Sequence, residues 1–352
     1  MKRSCENSPE NSRPTTAAFF AIISALTPPE GESPNRRAIL HLVVVMKVYS
    51  KKPMGLNALE NLLIARGLVD GNRKLRHALE TVGYFRLTGY LYPFRKPNSD
   101  DYKSGTTFER LWSIYTFDRK LRLMAADALA RIEIAVRSLI VTSHTAAFPN
   151  DAFAYIDHSS LPGLKVRKHT ELLNSISAAM GHAKGEPDLK HLKTEYDIEH
   201  YPPIWNVMEH APFGIVTLFY EGLDATVKQS VANAFFMTPN AFSGVLMALK
   251  VARNTCAHHS RFWNKHIRAR LSGTLGQRKE LDALHECLGK QPNRNVFTSV
   301  FAILSICAHC IQYVHPQSKW RERCRALLQS ADPFVLTGMG FPADWQSLAL
   351  WQ

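Results

Sequence analysis

The sequence lacks a convincing signal for membrane insertion or export. Its two apolar runs near the start, Ala17–Leu26 and Ala38–Val45, are much shorter than the roughly 20 residues that a membrane-spanning helix needs. Glu6 and Glu10 interrupt the basic region with which a signal peptide begins. These features disfavour a secreted or membrane-bound protein, and we expect no membrane partner.

Cysteine is scarce, and its spacing does not fit a disulfide framework. The six cysteines follow no repeated pattern, which suits a reducing cytoplasm. Cys307 and Cys310 have the C-x2-C spacing of half a zinc site, but no second pair of ligands follows them. They lie in the apolar run Val296–Tyr313, which is typical of a buried helix. We therefore expect a cytoplasmic protein with no bound metal and no cofactor.

Acidic residues are outnumbered in this chain. The 30 Asp and Glu residues oppose 43 Lys and Arg residues, and the formal net charge is +13. This charge fits a polyanionic partner such as RNA, although a solvated helix face explains any one basic cluster equally well. No convincing helix-turn-helix pattern is present, so a DNA-binding regulator is disfavoured. With 352 residues, 45% of them hydrophobic, the chain is long enough for a sizeable core.

Two cations, two imidazoles and two amides are concentrated in the segment RNTCAHHSRFWN, residues 253–264. On a helix, Asn254 and His258 share a face, and the long stem of Arg253 can bring its guanidinium toward the imidazole. RNA carries its own nucleophile, the 2′-hydroxyl. Its cleavage therefore needs a proton-transfer group near neutral pKa and a fixed cation for the phosphorane. We assign these roles to His258 and Arg253, with Asn254 as the orienting group. A helix cap or a salt bridge is the alternative for the same residues.

The spacing Arg253-x4-His258 resembles the R-x4-6-H signature of HEPN-domain ribonucleases. Its flanks resemble, more specifically, the AbiD/AbiF-like abortive infection family. Other blocks of that family follow in the same order along most of the chain, and they are YFRLTGY from Tyr84, Phe117-Asp118-Arg119, the segment from Leu129 to Arg137, and Pro202-Pro203-Ile204-Trp205. A single R-x4-H motif is weak evidence, whereas this ordered series is specific.

The resemblance implies an all-α, HEPN-like helical bundle with additional helices. It implies metal-independent RNA cleavage that leaves a 2′,3′-cyclic phosphate and arrests a phage-infected or stressed bacterial cell. A protein antitoxin or a non-coding RNA is then an expected silencing partner. HEPN sites usually form where two units meet, which implies a homodimer or a second unit in the same chain. The alternative function is a non-catalytic HEPN-like scaffold that binds RNA or a partner protein.

A second arginine–histidine pair, Arg137-x6-His144, fits only the loosest spacing of the HEPN signature. The resemblance makes it a candidate second motif, which would allow one chain to build a whole site. The alternative interpretation is that Arg137 pairs with Glu133, four residues before it, while His144 begins a loop.

Several basic residues are candidates for RNA binding. Tyr84 and Tyr90 in the YFRLTGY block can stack on unpaired bases, although such aromatics more often pack one helix on the next. The candidate RNA-binding residues are Arg86 in that block and three residues at the end of the motif and beyond it, namely Arg261, Lys265 and Arg268.

Helical periodicity dominates the remaining chain. Phe117 to about Val141 is the longest candidate helix, and Thr106 with Glu109 predicts a helix N-terminus before it. Residues 1–46, rich in Ser, Pro, Asn and Glu, are expected to form a poorly ordered extension, with Met46 a candidate natural start. Residues 47–316 are predicted to form the family-like helical region, and residues 317–352 a basic helix and a tail.

Overall fold

The chain folds into α-helices joined by short loops, in a computed structural model that describes residues 52–71, 73–267, 269–270, 275–290, 296–297 and 299–352. The predicted extension over residues 1–46 lies outside the described residues. Residues Gly55–Gln352 form one compact unit, which includes the predicted C-terminal helix and tail.

Fourteen α-helices account for most of the described residues, so the predicted all-α class is confirmed. A two-residue antiparallel ribbon, β1 (Ala269–Arg270) with β2 (Val296–Phe297), is the only sheet among these residues. The helices are α1 (Leu56–Ala65), α2 (Leu75–Thr81), α3 (Tyr84–Leu91), α4 (Phe108–Ala147), α5 (Val166–Ala183), α6 (Pro187–Tyr196), α7 (Ile204–His210), α8 (Phe213–Gly222), α9 (Ala225–Asn233), α10 (Pro239–Ala257), α11 (Asp282–Gly289), α12 (Val300–Val314), α13 (Trp320–Gln329) and α14 (Pro333–Gly338).

The organising element is α4, which is 40 residues long and spans about 60 Å at 1.5 Å per residue. It packs against α3, α7, α9, α10, α12 and α13. The predicted helix over Phe117–Val141 was therefore too short at both ends. The predicted cap was also wrong by one residue, because the Thr107 side chain accepts the hydrogen bond from the Arg110 N–H. The Thr106 hydroxyl instead donates to the Lys103 carbonyl at 2.7 Å.

The second core element is α12, which is buried on all sides from Val300 to Ile311. Cys307 and Cys310 lie inside it, as the apolar run predicted, and burial raises the pKa of both thiols. Such thiols stay protonated and unreactive at neutral pH. In the part of the chain that the structure describes, no helix has the length and apolarity needed to cross a membrane.

The C-terminal helices pack onto this core. The Trp320 indole donates to the Met124 carbonyl of α4 at 2.7 Å, and the Trp351 indole donates to the Ser305 hydroxyl of α12 at 3.3 Å. Both indoles are fully buried, and each has its single donor satisfied. These contacts join residues 320–352 to α12 and to α4, the helix that carries Glu133 of the candidate site.

Candidate functional site

The motif segment, residues 253–264, lies at the end of α10 and in the turn that follows it. Thr238 caps the start of α10. The apolar face of this helix is buried and includes Phe242, Val245 and Leu249. At the other end the His258 N–H donates to the Asn254 carbonyl at 3.0 Å. His259 then adopts a left-handed backbone with φ of 53°, which ends the helix. The motif therefore occupies the last turn of α10, with His258 as its final capping residue.

Arg253 is held by an acidic residue of α4. Its Nε donates to the Oε2 of Glu133 at 3.1 Å. The Oε1 of Glu133 accepts from Arg137, whose guanidinium also donates to the Met208 carbonyl. Glu133 is 9% exposed and Arg253 is 40% exposed, so the carboxylate is sheltered while the guanidinium remains open to solvent. The terminal amino groups of Arg253 form no hydrogen bond with any described residue, which leaves them available to an anion.

Two neighbouring cavities meet at this arginine. One has a volume of about 530 Å³ and is lined by Arg137, Trp205 and Glu209. The other has a volume of about 360 Å³ and is lined by Arg119, Arg122 and His259. Ala130, Glu133 and Arg253 line both cavities. Arg253 therefore stands between two spaces. Arginines outnumber carboxylates in the lining of the smaller cavity, which suits a bound phosphate, whereas the larger cavity has equal numbers of the two.

His258 and Asn254 are exposed at the same end of α10. Neither side chain forms a hydrogen bond or an ion pair with the described residues, so both are accessible to a ligand. The predicted orientation of His258 by the Asn254 side chain is not formed here; only the backbone groups of the two residues are bonded. His258 lines neither cavity, although Ala257 and His259 on either side of it line the smaller one.

The turn after His258 is held by a buried charge cluster. Asp118, in α4, accepts from the Tyr90 hydroxyl at 2.6 Å, from Arg122 at 2.6 Å and from the Trp263 N–H at 2.7 Å. The Phe262 N–H also donates to it, at 3.2 Å. Burial raises the pKa of the Asp118 carboxyl, and these donors act in the opposite direction. The cluster fixes residues 260–263 against α4 and thereby sets where the motif turn lies.

A family model described as "Abi-like protein" matches residues 77–264, just over half of the chain. The chain belongs to the Abi-like protein family. The matched range begins before Tyr84 and ends at Asn264, so it contains all of α4, the Asp118 cluster and the whole motif segment. Membership connects the protein with abortive infection and phage defence. Neither the curated proteins nor the solved structures contain a match to the chain.

The candidate second motif of this Abi-like protein is built differently from the first. Arg137 pairs with Glu133, as the alternative interpretation predicted. His144 does not begin a loop, since it lies within α4 and is 1% exposed, against the rings of Phe148 and Phe219. Burial lowers the pKa of His144 to about 4, and neither ring nitrogen has a described hydrogen-bond partner. A catalytic role for the pair stays a prediction, but this conformation gives the His144 ring no access to RNA.

Three of the four predicted RNA-binding residues come together in the Abi-like fold. Arg86, Arg261 and Lys265 line one cleft with a volume of about 910 Å³, between α3 and the segment that follows the motif. Arg86 donates to the His259 carbonyl, and Arg261 donates to the Gly89 carbonyl. The fourth, Arg268, lies outside the described residues.

Two residues that matter to the site were not among the candidates. Glu133 was considered only as a partner of Arg137, and the sequence contains no signal that brings α4 beside Arg253. Phe85 is the other, because its ring is 86% exposed at the mouth of the cleft. The YFRLTGY block did contain a signal for it. Apolar residues lie on more than one face of this helix, and a helix at the surface cannot bury all of its faces in the core.

Proposed function

We propose that this Abi-like protein is a HEPN-type endoribonuclease that cleaves RNA without a metal ion during phage defence or toxin action. The observation that carries the proposal is the position of Arg253. A buried carboxylate holds its Nε, its terminal amino groups are free, and the exposed imidazole of His258 lies just beyond it at the end of the same helix. Phosphodiester cleavage by an internal nucleophile needs a fixed cation and a proton-transfer group, and this end of α10 carries one candidate for each role.

The proposed reaction begins at the 2′-hydroxyl of the RNA. The neutral His258 imidazole accepts the hydroxyl proton while the 2′-oxygen bonds to phosphorus. Arg253 stabilises the negative charge on the non-bridging phosphorane oxygens through its terminal amino groups. The bond from phosphorus to the 5′-oxygen then breaks, and that oxygen takes a proton from a second imidazole. The products are a 2′,3′-cyclic phosphate and a 5′-hydroxyl, so every bond and proton is accounted for.

The second imidazole is proposed to come from another copy of the chain. Leu123, Ala126, Ala130 and Ile134 follow one another at helical spacing along α4, beside Glu133. Leu123 is 62% exposed and Ile134 is 66% exposed, and together with the two alanines between them they form an apolar stripe on the surface. A symmetric dimer that buries this stripe would bring two motif turns toward one another. Dimerisation would therefore bury the apolar stripe, and it would bring the His258 of the second chain to the site as the proton donor.

An unrestrained ribonuclease would kill its host, so we propose that a protein antitoxin or a non-coding RNA keeps it silent in the cytoplasm. The basic surface described above, with a net charge of +13 for the chain, suits an RNA partner in either role.

The test is cleavage of total bacterial RNA by purified protein in EDTA, together with its Arg253→Ala and His258→Ala variants. Fragments that end in 2′,3′-cyclic phosphate, and that disappear in both variants, are the expected result. His77→Ala is the matched control because its side chain is 80% exposed on α2 and lies outside the site. Cleavage that persists in both variants would refute the site. RNA binding by an inactive wild-type protein would instead support the scaffold function.

A further inference from the structure

The cleft lined by Arg86, Arg261 and Lys265 has a composition that neither packing nor stability explains. Its lining also includes His266, and no carboxylate is present among the described residues that form it. Lys265 and His266 are exposed, and their side chains make no hydrogen bond or ion pair with the described part of the chain. A concave surface with several uncompensated cations attracts a polyanion, and its field is concentrated by the low-dielectric walls.

Phe85 forms an aromatic platform at this cleft. It is 86% exposed, although burial of such a ring would stabilise the fold. The ring of Tyr84 lies against it in a T-shaped arrangement, with ring centroids 5.6 Å apart and planes at 81°. The Tyr84 hydroxyl accepts from Arg66 at 3.2 Å, so the supporting ring is itself held. Phe85 is therefore an exposed ring that is supported by the fixed ring of Tyr84, and it is accessible to a planar ligand.

An amide in the same cleft has an unused acceptor. The Oδ1 of Asn264 is shielded from solvent and has no hydrogen-bond partner among the described residues. An unmet buried acceptor destabilises the fold, and a ligand that donates to it would recover that free energy. The exocyclic amino and ring N–H groups of a nucleobase are donors of this kind.

The cleft is joined directly to the motif turn. Arg86 of α3 donates to the His259 carbonyl, while Arg261 donates back to the Gly89 carbonyl of α3. These two crossed hydrogen bonds fasten α3 to the residues that follow His258. Ser260 lines the cleft as well, only two positions beyond His258 along the chain. A strand bound in the cleft would therefore leave it beside the proposed catalytic imidazole.

From these observations we infer that the cleft is a subsite for single-stranded RNA, in which an unpaired base stacks on Phe85. Lys265 and His266 bind the neighbouring phosphates, and Asn264 accepts a hydrogen bond from the edge of a base. The inference rests on the proposed function for its choice of RNA as the ligand. It adds the requirement that the substrate be unpaired near the cleaved bond, because a base inside a duplex cannot offer its face to a side chain.

The experiment measures binding without cleavage. A fluorescent 12-nucleotide single strand with 2′-O-methyl groups has no free nucleophile, so its anisotropy reports affinity alone. The same nucleotides closed into a duplex provide the comparison. We expect the wild-type protein to prefer the single strand, and Phe85→Ala to weaken that binding by about 5- to 150-fold, the range of one stacked base. Phe85→Trp should retain it. Tyr92→Ala is the matched control, since Tyr92 is a 66% exposed aromatic outside the cleft lining.

The outcomes separate this inference from the proposed function. Equal binding of single strand and duplex, unchanged affinity in Phe85→Ala, or no binding by the wild type would overturn the subsite. Normal RNA cleavage together with unchanged affinity in Phe85→Ala would leave the ribonuclease proposal intact and reject the cleft alone. Absence of cleavage together with Phe85-dependent binding would reject the ribonuclease and keep the cleft. A thermal unfolding curve for Phe85→Ala that matches the wild type shows that the fold is preserved.

Discussion

The Glu133 carboxylate accepts a hydrogen bond from the Nε of Arg253 at 3.1 Å and holds Arg137 with its other oxygen. One acid on α4 thus connects an arginine of its own helix with an arginine 120 residues further along the chain. The pairing orients the guanidinium of Arg253 without neutralising the group of three, whose net charge is positive. Two cations and one carboxylate can therefore still attract a phosphate.

The first prediction concerns this carboxylate. Glu133→Gln keeps the shape of the side chain but removes its charge, so Arg253 should lose its fixed orientation. We expect kcat for RNA cleavage to fall by about 10- to 100-fold because misplacement of a catalytic group by a fraction of an ångström is costly. KM should fall or stay unchanged, since the surface becomes more positive. Glu209→Gln, in the same cavity but without a described contact to Arg253, is the control. Unchanged kcat in Glu133→Gln would show that Arg253 needs no such partner.

A second prediction concerns the buried acid behind the motif turn. Asp118→Asn leaves Arg122 nearly buried, at 7% side-chain exposure, without its countercharge. Removing one partner of a buried ion pair typically costs about 3–5 kcal/mol, so thermal or denaturant unfolding should show a loss of that size. Hydrogen exchange at the Phe262 and Trp263 amides should also accelerate. Asp127→Asn, whose ion pairs are at the surface, should change stability by less than about 1 kcal/mol. A stable Asp118→Asn protein with protected amides would contradict the role of Asp118 in holding the motif turn.

A third prediction follows from the pKa of His144. Burial lowers that pKa to about 4, so the unfolded chain binds a proton more readily between pH 4 and the ordinary value of about 6.5. The contribution of His144 to stability is therefore complete above pH 6.5 and is lost as the pH falls toward 4. The total is on the order of 3 kcal/mol. Denaturant unfolding of His144→Leu should show a shallower decline in this window.

His309 is a second buried histidine that contributes to the loss of stability in acid. Burial lowers its pKa too, so some acid sensitivity should remain in His144→Leu. His77→Gln, which alters an exposed imidazole, should keep the full wild-type slope. If His144→Leu and wild type lost stability in parallel from pH 7 to pH 5, the neutral buried state of His144 would be disproved.

A fourth prediction tests the proposed dimer. Ile134→Glu places a charge in the apolar stripe of α4, and burying that charge without a partner would be strongly unfavourable. Sedimentation or light scattering should show a dimer for the wild type and a monomer for the variant, with RNA cleavage reduced in parallel. Ile64→Glu is the matched control, because Ile64 is 47% exposed on α1, outside the stripe. A monomeric wild type with full activity would place both proton-transfer groups within one chain.

Much of the helical architecture could be predicted from the sequence, but its boundaries depended on contacts that the sequence does not display. The core stripe of α4 was identified, whereas its start was not, because Thr106 and Thr107 are equivalent by residue type. The structure distinguishes them through Val69, whose N–H donates to the Thr106 carbonyl and whose own carbonyl accepts from the Phe108 N–H. These two hydrogen bonds hold the backbone of Thr106 and Phe108 against Val69, and Thr107 between them caps the helix.

The site shows a similar division between local and distant information. The chemical character of Arg253 and His258 follows from their residue types and spacing, and both lie at the end of α10. Their catalytic roles stay a prediction. The burial of His144 could not be predicted, because Phe219 comes from a helix far along the chain. For the same reason the sequence could not show that Arg86 and Arg261 line one cleft, since they are joined by contacts across more than 170 positions.

The two supports of the motif, Asp118 and Glu133, belong to one uninterrupted helix, about 22 Å apart along its axis at 1.5 Å per residue. The number of residues between them therefore fixes both their separation and their relative rotation about the helix axis. Adding or deleting one residue between them would rotate one support by about 100° relative to the other, so the turn and the arginine could no longer be held together. Evolution can change side chains on this stretch of α4 but not its length. Relatives that share the site should keep this interval free of insertions and deletions, even where their sequences have otherwise diverged.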